Sequence, residues 1–234
     1  MKHGVSLAML ALAMAALAAV HRGAYWLLLW PSASFAWVAA GYFRFGPGVF
    51  GKSPRGVLSP VTHAVLLPYL LFSWMVWHLL RVVSRETAYN QLTDRLLIGR
   101  RLLSHELPAG IDHVIDLTCE FNEPHRLRER SYRSFPILDG ADVSAEELRC
   151  WAEEVAALPG TVYIHCAQGH GRTGMFAAAV LMASGKAASP DEALRMVIEA
   201  RPGVRLSSQQ LQTLRANARG KQTGRSEAPE SPHT

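Results

Sequence analysis

Three apolar stretches in succession fill most of the first 83 residues, and they constrain this chain more than any other feature. Val5 to Val20 is an unbroken run of apolar and small residues behind Lys2. Ala24 to Phe43 follows after only His21, Arg22 and Gly23. Val61 to Val83 carries the polar pair His63 and His78. A helix that is apolar on every side must be buried in protein or in lipid, and successive helices of this kind leave almost no face for water. The second and third stretches reach the roughly 20 residues that a membrane span needs. The first is short, with the basic start and Ala-rich end of a signal peptide. Tyr25, Trp26, Trp30, Trp37 and Tyr42 supply the aromatics that favour the membrane interface. The expectation is an α-helical transmembrane region over residues 1–83, of two or three helices. Pro31 and Pro68 would kink their helices, which membrane helices tolerate.

The remainder reads differently. The chain is 49% hydrophobic, but that excess sits in the apolar region, and residues 84–218 look like an ordinary folded domain. A polar tail over 219–234 is expected to be disordered. The formal charge of +5 suits nucleic acid, anionic lipid or phosphorylated substrates. There is no zinc-ligand or aromatic RNA-binding pattern, so a nucleic-acid partner is not expected. Arg81, Arg85, Arg95, Arg100 and Arg101 could meet anionic headgroups or water. The cysteines, Cys119, Cys150 and Cys166, are three, too few and too oddly spaced for a disulfide scaffold or a metal site.

Within 84–218, strands are expected at Arg95 to Ile98, His113 to Leu117 and Thr161 to His165. Ser144 with Glu147 forms a capping box for a helix to about Ala157. Further helices are expected from Arg172 to Ala183, from Ser189-Pro190 to about Ala200, and from Ser207 or Ser208 to about Ala216. Strands alternating with helices give an α/β domain, a central sheet flanked by helices.

Between the last strand and the following helix lies His165-Cys166-Ala167-Gln168-Gly169-His170-Gly171-Arg172-Thr173-Gly174. Five residues separate Cys166 from Arg172, two of them Gly. That lets the backbone curl so that successive N–H groups point inward at a helix N-terminus, a nest for a phosphate dianion. Such a field favours a thiolate, the nucleophilic form of cysteine. Arg172 offers a planar fork to two phosphoryl oxygens. Thr173 can donate its hydroxyl to the Cys166 sulfur, and His165 can brace the loop.

This segment resembles the H-C-x5-R-[S/T] signature of the protein tyrosine phosphatase superfamily, in its compact dual-specificity branch. The likeness runs from about Tyr89 to Arg215 and includes Ile115-Asp116-Leu117-Thr118 and the run from Arg201-Pro202 through Ser207 and Gln210. It implies hydrolysis of phosphate monoesters through a phosphocysteine at Cys166, with Ala167 to Arg172 cradling the phosphoryl group. It also implies a general acid inside a P-x-x-D pattern, which Pro136 to Asp139 matches; Asp142 is the alternative. Some relatives protect the nucleophile by a disulfide, a role open to Cys119, while Cys150 is expected to be structural. No metal or organic cofactor is implied.

The loop holds no Lys, which weighs against highly charged inositol lipids, and a shallow pocket would admit phosphoserine, phosphothreonine and phosphotyrosine. Anchoring at a membrane keeps a phospholipid open as the alternative substrate, and a catalytically silent phosphate-binding adaptor as a third reading. Arg44, Lys52 and Arg55 mark the loop before the third stretch as cytoplasmic, yet Arg81 and Arg85 claim the same for its other end. A reactive thiol belongs in a reducing compartment, so the expectation is an integral membrane protein with a cytoplasmic catalytic domain.

Overall fold

The computed structural model describes residues 2–21 and 23–226. Its elements in chain order are α1 (Lys2–His21), α2 (Leu29–Ala40), α3 (Pro60–Val83), β1 (Tyr89–Thr93), β2 (Leu96–Arg100), β3 (His113–Thr118), α4 (His125–Arg128), β4 (Ser131–Ile137), α5 (Ala145–Ala156), β5 (Val162–Cys166), α6 (Gly171–Ala183), α7 (Pro190–Ala200) and α8 (Ser208–Ser226).

The strands form one sheet of order β1-β2-β5-β3-β4, in which only β1 runs antiparallel to its neighbour. Central β5 is buried along its length, as a parallel strand covered on both faces must be. α6 packs behind it with every residue from Arg172 to Met182 buried. The expected capping box forms: Ser144 Oγ accepts the Glu147 N–H at 3.1 Å, and the Glu147 carboxylate accepts the Ser144 N–H at 3.2 Å. Ser189 caps α7 in the same way, accepting from Glu192 N.

Two strands lay outside the sequence reading. β1 is short and polar. β4 contains Pro136, which a sheet accepts because β4 is an edge strand. The last helix, expected to stop near Ala216, continues to Ser226, so the first part of the expected disordered tail is helical. Residues 227–234 lie outside the described residues.

The apolar region departs further. The second stretch does not make one span-length helix. It breaks into a 3-10 segment (Gly23–Leu28), the 12-residue α2, a π turn (Gly41–Phe45) and a second 3-10 segment (Gly46–Phe50). Pro31 falls in the first turn of α2, where its missing N–H costs nothing, whereas Pro68 lies inside α3. Among the described residues, the two helices long and apolar enough to cross a membrane are α1 and α3.

α3 is held at both ends to the domain that carries the sheet. Near its start, Leu58 N–H donates to Asn122 Oδ1 and the His63 ring meets the Asn122 amide at 2.9 Å. Leu66 and Tyr69 join Cys119 and Leu138 in one apolar cluster. Near its end, Trp77 donates to Ala167 O and Arg81 to Glu106. The conflict between two basic clusters at opposite ends of one span disappears, because both ends of α3 sit on the same domain. Lys52, read as part of a cytoplasmic loop, has a buried side chain: its Nζ lies 2.5 Å from Asp116 Oδ2, both side chains almost fully enclosed.

Candidate functional site

Every candidate group sits at the C-terminal ends of the parallel strands, where an α/β sheet opens its crevice. β3 leads to Glu120, β4 to Asp139 and β5 to Cys166.

The loop from Cys166 to Gly171 is held from outside by its carbonyls. Ala167 O accepts from Trp77 Nε1 at 3.0 Å and from Arg101 N at 3.2 Å. Gln168 O and Gly169 O accept from the Arg201 guanidinium at 3.2 and 3.0 Å. Carbonyls turned outward leave amides to turn inward, and Gly169 N–H donates to Cys166 Sγ at 3.3 Å. Gly169 has φ +75°, and a Cβ there would meet the Gly99 carbonyl carbon at 2.3 Å, so only glycine fits.

Arg172 is 1% exposed. Its Nη1 and Nη2 grip the two Glu120 oxygens at 3.0 and 2.8 Å, and Nη1 also donates to Ile137 O at 2.9 Å. Its Nη2 lies 3.1 Å from Asp139 Oδ1. Burial alone would lower its pKa; the charges of Glu120, Asp139 and Cys166 instead hold it well above the ordinary value. Nε of Arg172 and Oγ1 of Thr173 are buried without a hydrogen-bond partner. The expected Thr173–Cys166 hydrogen bond is therefore not made in this state.

The backbone carbonyl of Asp139 accepts from Tyr42 OH at 3.0 Å, and His3 packs against Gly140. The acid loop thus leans on the N-terminal helices. Asp142 accepts from Thr213 on α8 instead, and does not join Arg172. The His170 ring is engaged by Glu86 at 2.7 Å, and Glu86 is in turn held by Arg201.

His165 is fully buried and stacks on Tyr163; burial lowers its pKa to about 4, so it is neutral. It converges with Asp116 and Glu123 closely enough to suggest metal ligands. Lys52 already supplies the positive charge there, donating to Asp116 and to Thr118 O, and Arg101 lies 3.4 Å from Glu123. Burial, and then Asp116, raise the Glu123 pKa. These residues form an ion-pair network beneath the loop.

The arginines after the apolar region are mostly engaged within the protein rather than offered to headgroups or water. Arg81 and Arg100 share Glu106, Arg95 binds the carbonyls of Gly160 and Leu158, and Arg101 stacks over Trp77. Cys119 is buried; Cys150, expected to be structural, is exposed on α5. The sequence reading missed Glu120, Arg201, Trp77, Tyr42 and Lys52 as parts of the site. Glu120 could have been sought from its place just after a buried strand, and Arg201 from its place in the Arg-Pro-Gly turn.

A nucleophile-bearing strand end, a phosphate-shaped loop and an Arg at the following helix define the class: a cysteine phosphatase of the dual-specificity type, a phosphoric monoester hydrolase. Residues 71–230 match the model described as PTP-SAK, Swiss Army Knife protein, DSP-PTPase phosphatase domain, and the chain belongs to that family. The match begins inside α3, upstream of the expected start near Tyr89. A search of curated proteins finds no match. Among solved structures, Tk-PTP in its active form is 28% identical, with a TM-score of 0.50, covering 56% of this chain and 97% of that one. A mouse putative dual specificity phosphatase complexed with zinc tungstate is 21% identical (TM-score 0.50; 61% and 97% covered). PTPMT1 in complex with PI(5)P is 18% identical (TM-score 0.51; 60% and 99% covered). The latter two show a shared fold.

Proposed function

We propose that this phosphatase works at a membrane surface by a two-step thiol mechanism carried by Cys166, Arg172, Asp139 and Thr173. Cys166 Sγ attacks phosphorus in line; the S–P bond forms as the bond to the leaving oxygen breaks, and Asp139 protonates that oxygen. The inward amides of Ala167 to Gly171 hold the equatorial oxygens together with the unpartnered Nε edge of Arg172, whose Nη2 gives up its contact with Asp139. Water then attacks phosphorus, Asp139 takes its proton, and the thiolate departs with a hydrogen bond from the Thr173 hydroxyl. His165 supports the loop by packing on Tyr163, its ring nitrogens being without hydrogen-bond partners, and His170, tied to Glu86, shapes its rim. The observation that carries this reading is Arg172: fixed by Glu120, 3.1 Å from Asp139, with Nε buried and unpartnered.

The membrane reading is supported by the outer faces of the apolar helices. Met9, Leu12 and Val20 of α1 and Val61, Leu71, Trp74, Met75 and Leu79 of α3 are all more than half exposed. So large an apolar surface marks a contact with lipid or protein. The interfacial tryptophans Trp26 and Trp30, both at least half exposed, favour the bilayer. The free cysteines suit a reducing, cytoplasmic side. Dual-specificity chemistry makes phosphotyrosine, phosphoserine and phosphothreonine of proteins one substrate reading.

The test is phosphate release from p-nitrophenyl phosphate by the intact protein with chelator present. Activity that survives chelation, and falls by at least about 10³-fold in Cys166→Ser and in Arg172→Ala, is expected. A folded protein that releases no phosphate would leave only the phosphate-binding adaptor.

A further inference from the structure

A cavity of about 310 Å³ opens directly above the phosphate loop, within the range of small-molecule sites. It borders the reaction site: Ala167 and Gln168 of the loop line its floor, with Glu120 and Asp139, the ion-pair partners of Arg172, beside them. Its walls come from the N-terminal helices. Leu7 of α1 faces Tyr69, Phe72, Val76 and Leu80 of α3, with Phe121 closing one side. Phe72 and Leu80 are also 42% and 44% exposed, so the mostly apolar wall, with Ser6, Ser73, His3 and Tyr42 as its polar members, runs into the outer apolar face of α3.

This arrangement discriminates between classes of phosphate ester. A phosphopeptide would bring backbone N–H and C=O groups against Leu7, Phe72, Val76 and Leu80, which cannot hydrogen-bond, and burying such groups unpaired is costly. An alkyl or acyl chain meets those side chains favourably, in proportion to the area it removes from water. Charge sets the headgroup. The lining carries the carboxylates of Glu120 and Asp139 and no lysine or arginine; Arg172, paired with both carboxylates, serves one phosphate.

Resting on the phosphatase reading above, we infer that the substrate is a lipid phosphate monoester bearing a single phosphate, whose apolar body lies between α1 and α3 while its phosphate reaches Cys166. The helices then have a second task besides attachment: they are a wall of the active site.

The experiment uses the intact detergent-solubilised protein and a series of n-alkyl phosphates from butyl to dodecyl, below micelle-forming concentrations. p-Nitrophenyl phosphate and a phosphotyrosine peptide are run alongside. The expected result is a rise in kcat/KM on the order of tenfold or more from butyl to octyl phosphate, with the peptide below octyl phosphate. Val76→Asn and Leu80→Asn should each lower the ratio of octyl phosphate to p-nitrophenyl phosphate turnover by at least about fivefold. A flat chain-length profile, or a peptide preferred over every alkyl phosphate, overturns the inference while leaving the phosphatase reading intact. A dioctanoyl phosphatidylinositol bisphosphate preferred over dioctanoyl phosphatidate would overturn the single-phosphate assignment. Failure to turn over p-nitrophenyl phosphate at all would remove the phosphatase reading itself.

Discussion

Glu120 and Arg172 form a two-pronged ion pair, Oε2 to Nη1 at 3.0 Å and Oε1 to Nη2 at 2.8 Å, both side chains largely buried at the reaction site. The carboxylate holds one edge of the guanidinium and leaves Nε turned to the remaining edge, where it has no protein partner. The pair fixes the angle at which Arg172 meets a phosphoryl group.

Glu120→Gln keeps the shape but loses one of the charged contacts. A small rotation of the fork is enough to cost on the order of 10²-fold in kcat/KM. Inhibition by inorganic phosphate should weaken in parallel. A merely structural role would lower the melting temperature and leave the phosphate inhibition constant where it was.

Arg201 acts on the other side of the loop, binding Gln168 O, Gly169 O, Glu86 and Asn90 at once. A lysine has the charge but not the planar fork. Arg201→Lys is expected to raise KM for p-nitrophenyl phosphate about tenfold, with a smaller change in kcat, because the loop is loosened while the nucleophile remains. Steady-state kinetics separates the two parameters.

Gly169→Ala tests the loop geometry itself. The new Cβ would meet the Gly99 backbone at 2.3 Å in a left-handed conformation that alanine resists. Activity should fall by at least about 10²-fold, with far-ultraviolet circular dichroism unchanged. Retention of more than half the activity would show that the loop need not take this shape.

The sheet's centre, the serine caps and the Cys166 to Thr173 loop were legible because each is local: a buried run, a Ser three residues from a Glu, a strand meeting a helix through glycines. What escaped was fixed by distant partners. β4 carries Pro136, a signal against a strand that holds only in a sheet centre. Lys52 sat among the basic residues of an apparent membrane loop, yet it is paired with Asp116, 64 residues away. Similarly, Trp77 lay within the third apolar stretch with no role of its own, and its indole in fact holds the loop carbonyl of Ala167. Apolar composition could not say that α3 lies along the catalytic domain at both ends, because the residues that hold it there are few and polar.

The Lys52–Asp116 pair makes the N-terminal segment part of the catalytic fold. Burial would raise the Asp116 pKa, but Lys52 outweighs it and holds the carboxyl well below its ordinary range. A depressed folded pKa stabilises above the unfolded value of about 3.9, and that stability is lost as pH falls below it. Lys52→Met should cost about 3–5 kcal/mol at pH 7, since it leaves a buried carboxylate unpaired. The deficit should shrink below about pH 4. Urea midpoints at the two pH values check this. By the same logic, a fragment beginning at Ser84 loses Lys52 and Trp77 and should be markedly less stable than the whole chain.

The most direct test of the account is to trap the phosphoenzyme. In Asp139→Asn, p-nitrophenolate can leave without an acid, but water loses its base, so the S–P bond should persist. Acid quenching after milliseconds, proteolysis and mass spectrometry should find one phosphoryl group on the peptide containing Cys166, and none in Cys166→Ser. A phosphoryl group on any other residue, or turnover by Asp139→Asn at the wild-type rate with no phosphoenzyme, would contradict the mechanism.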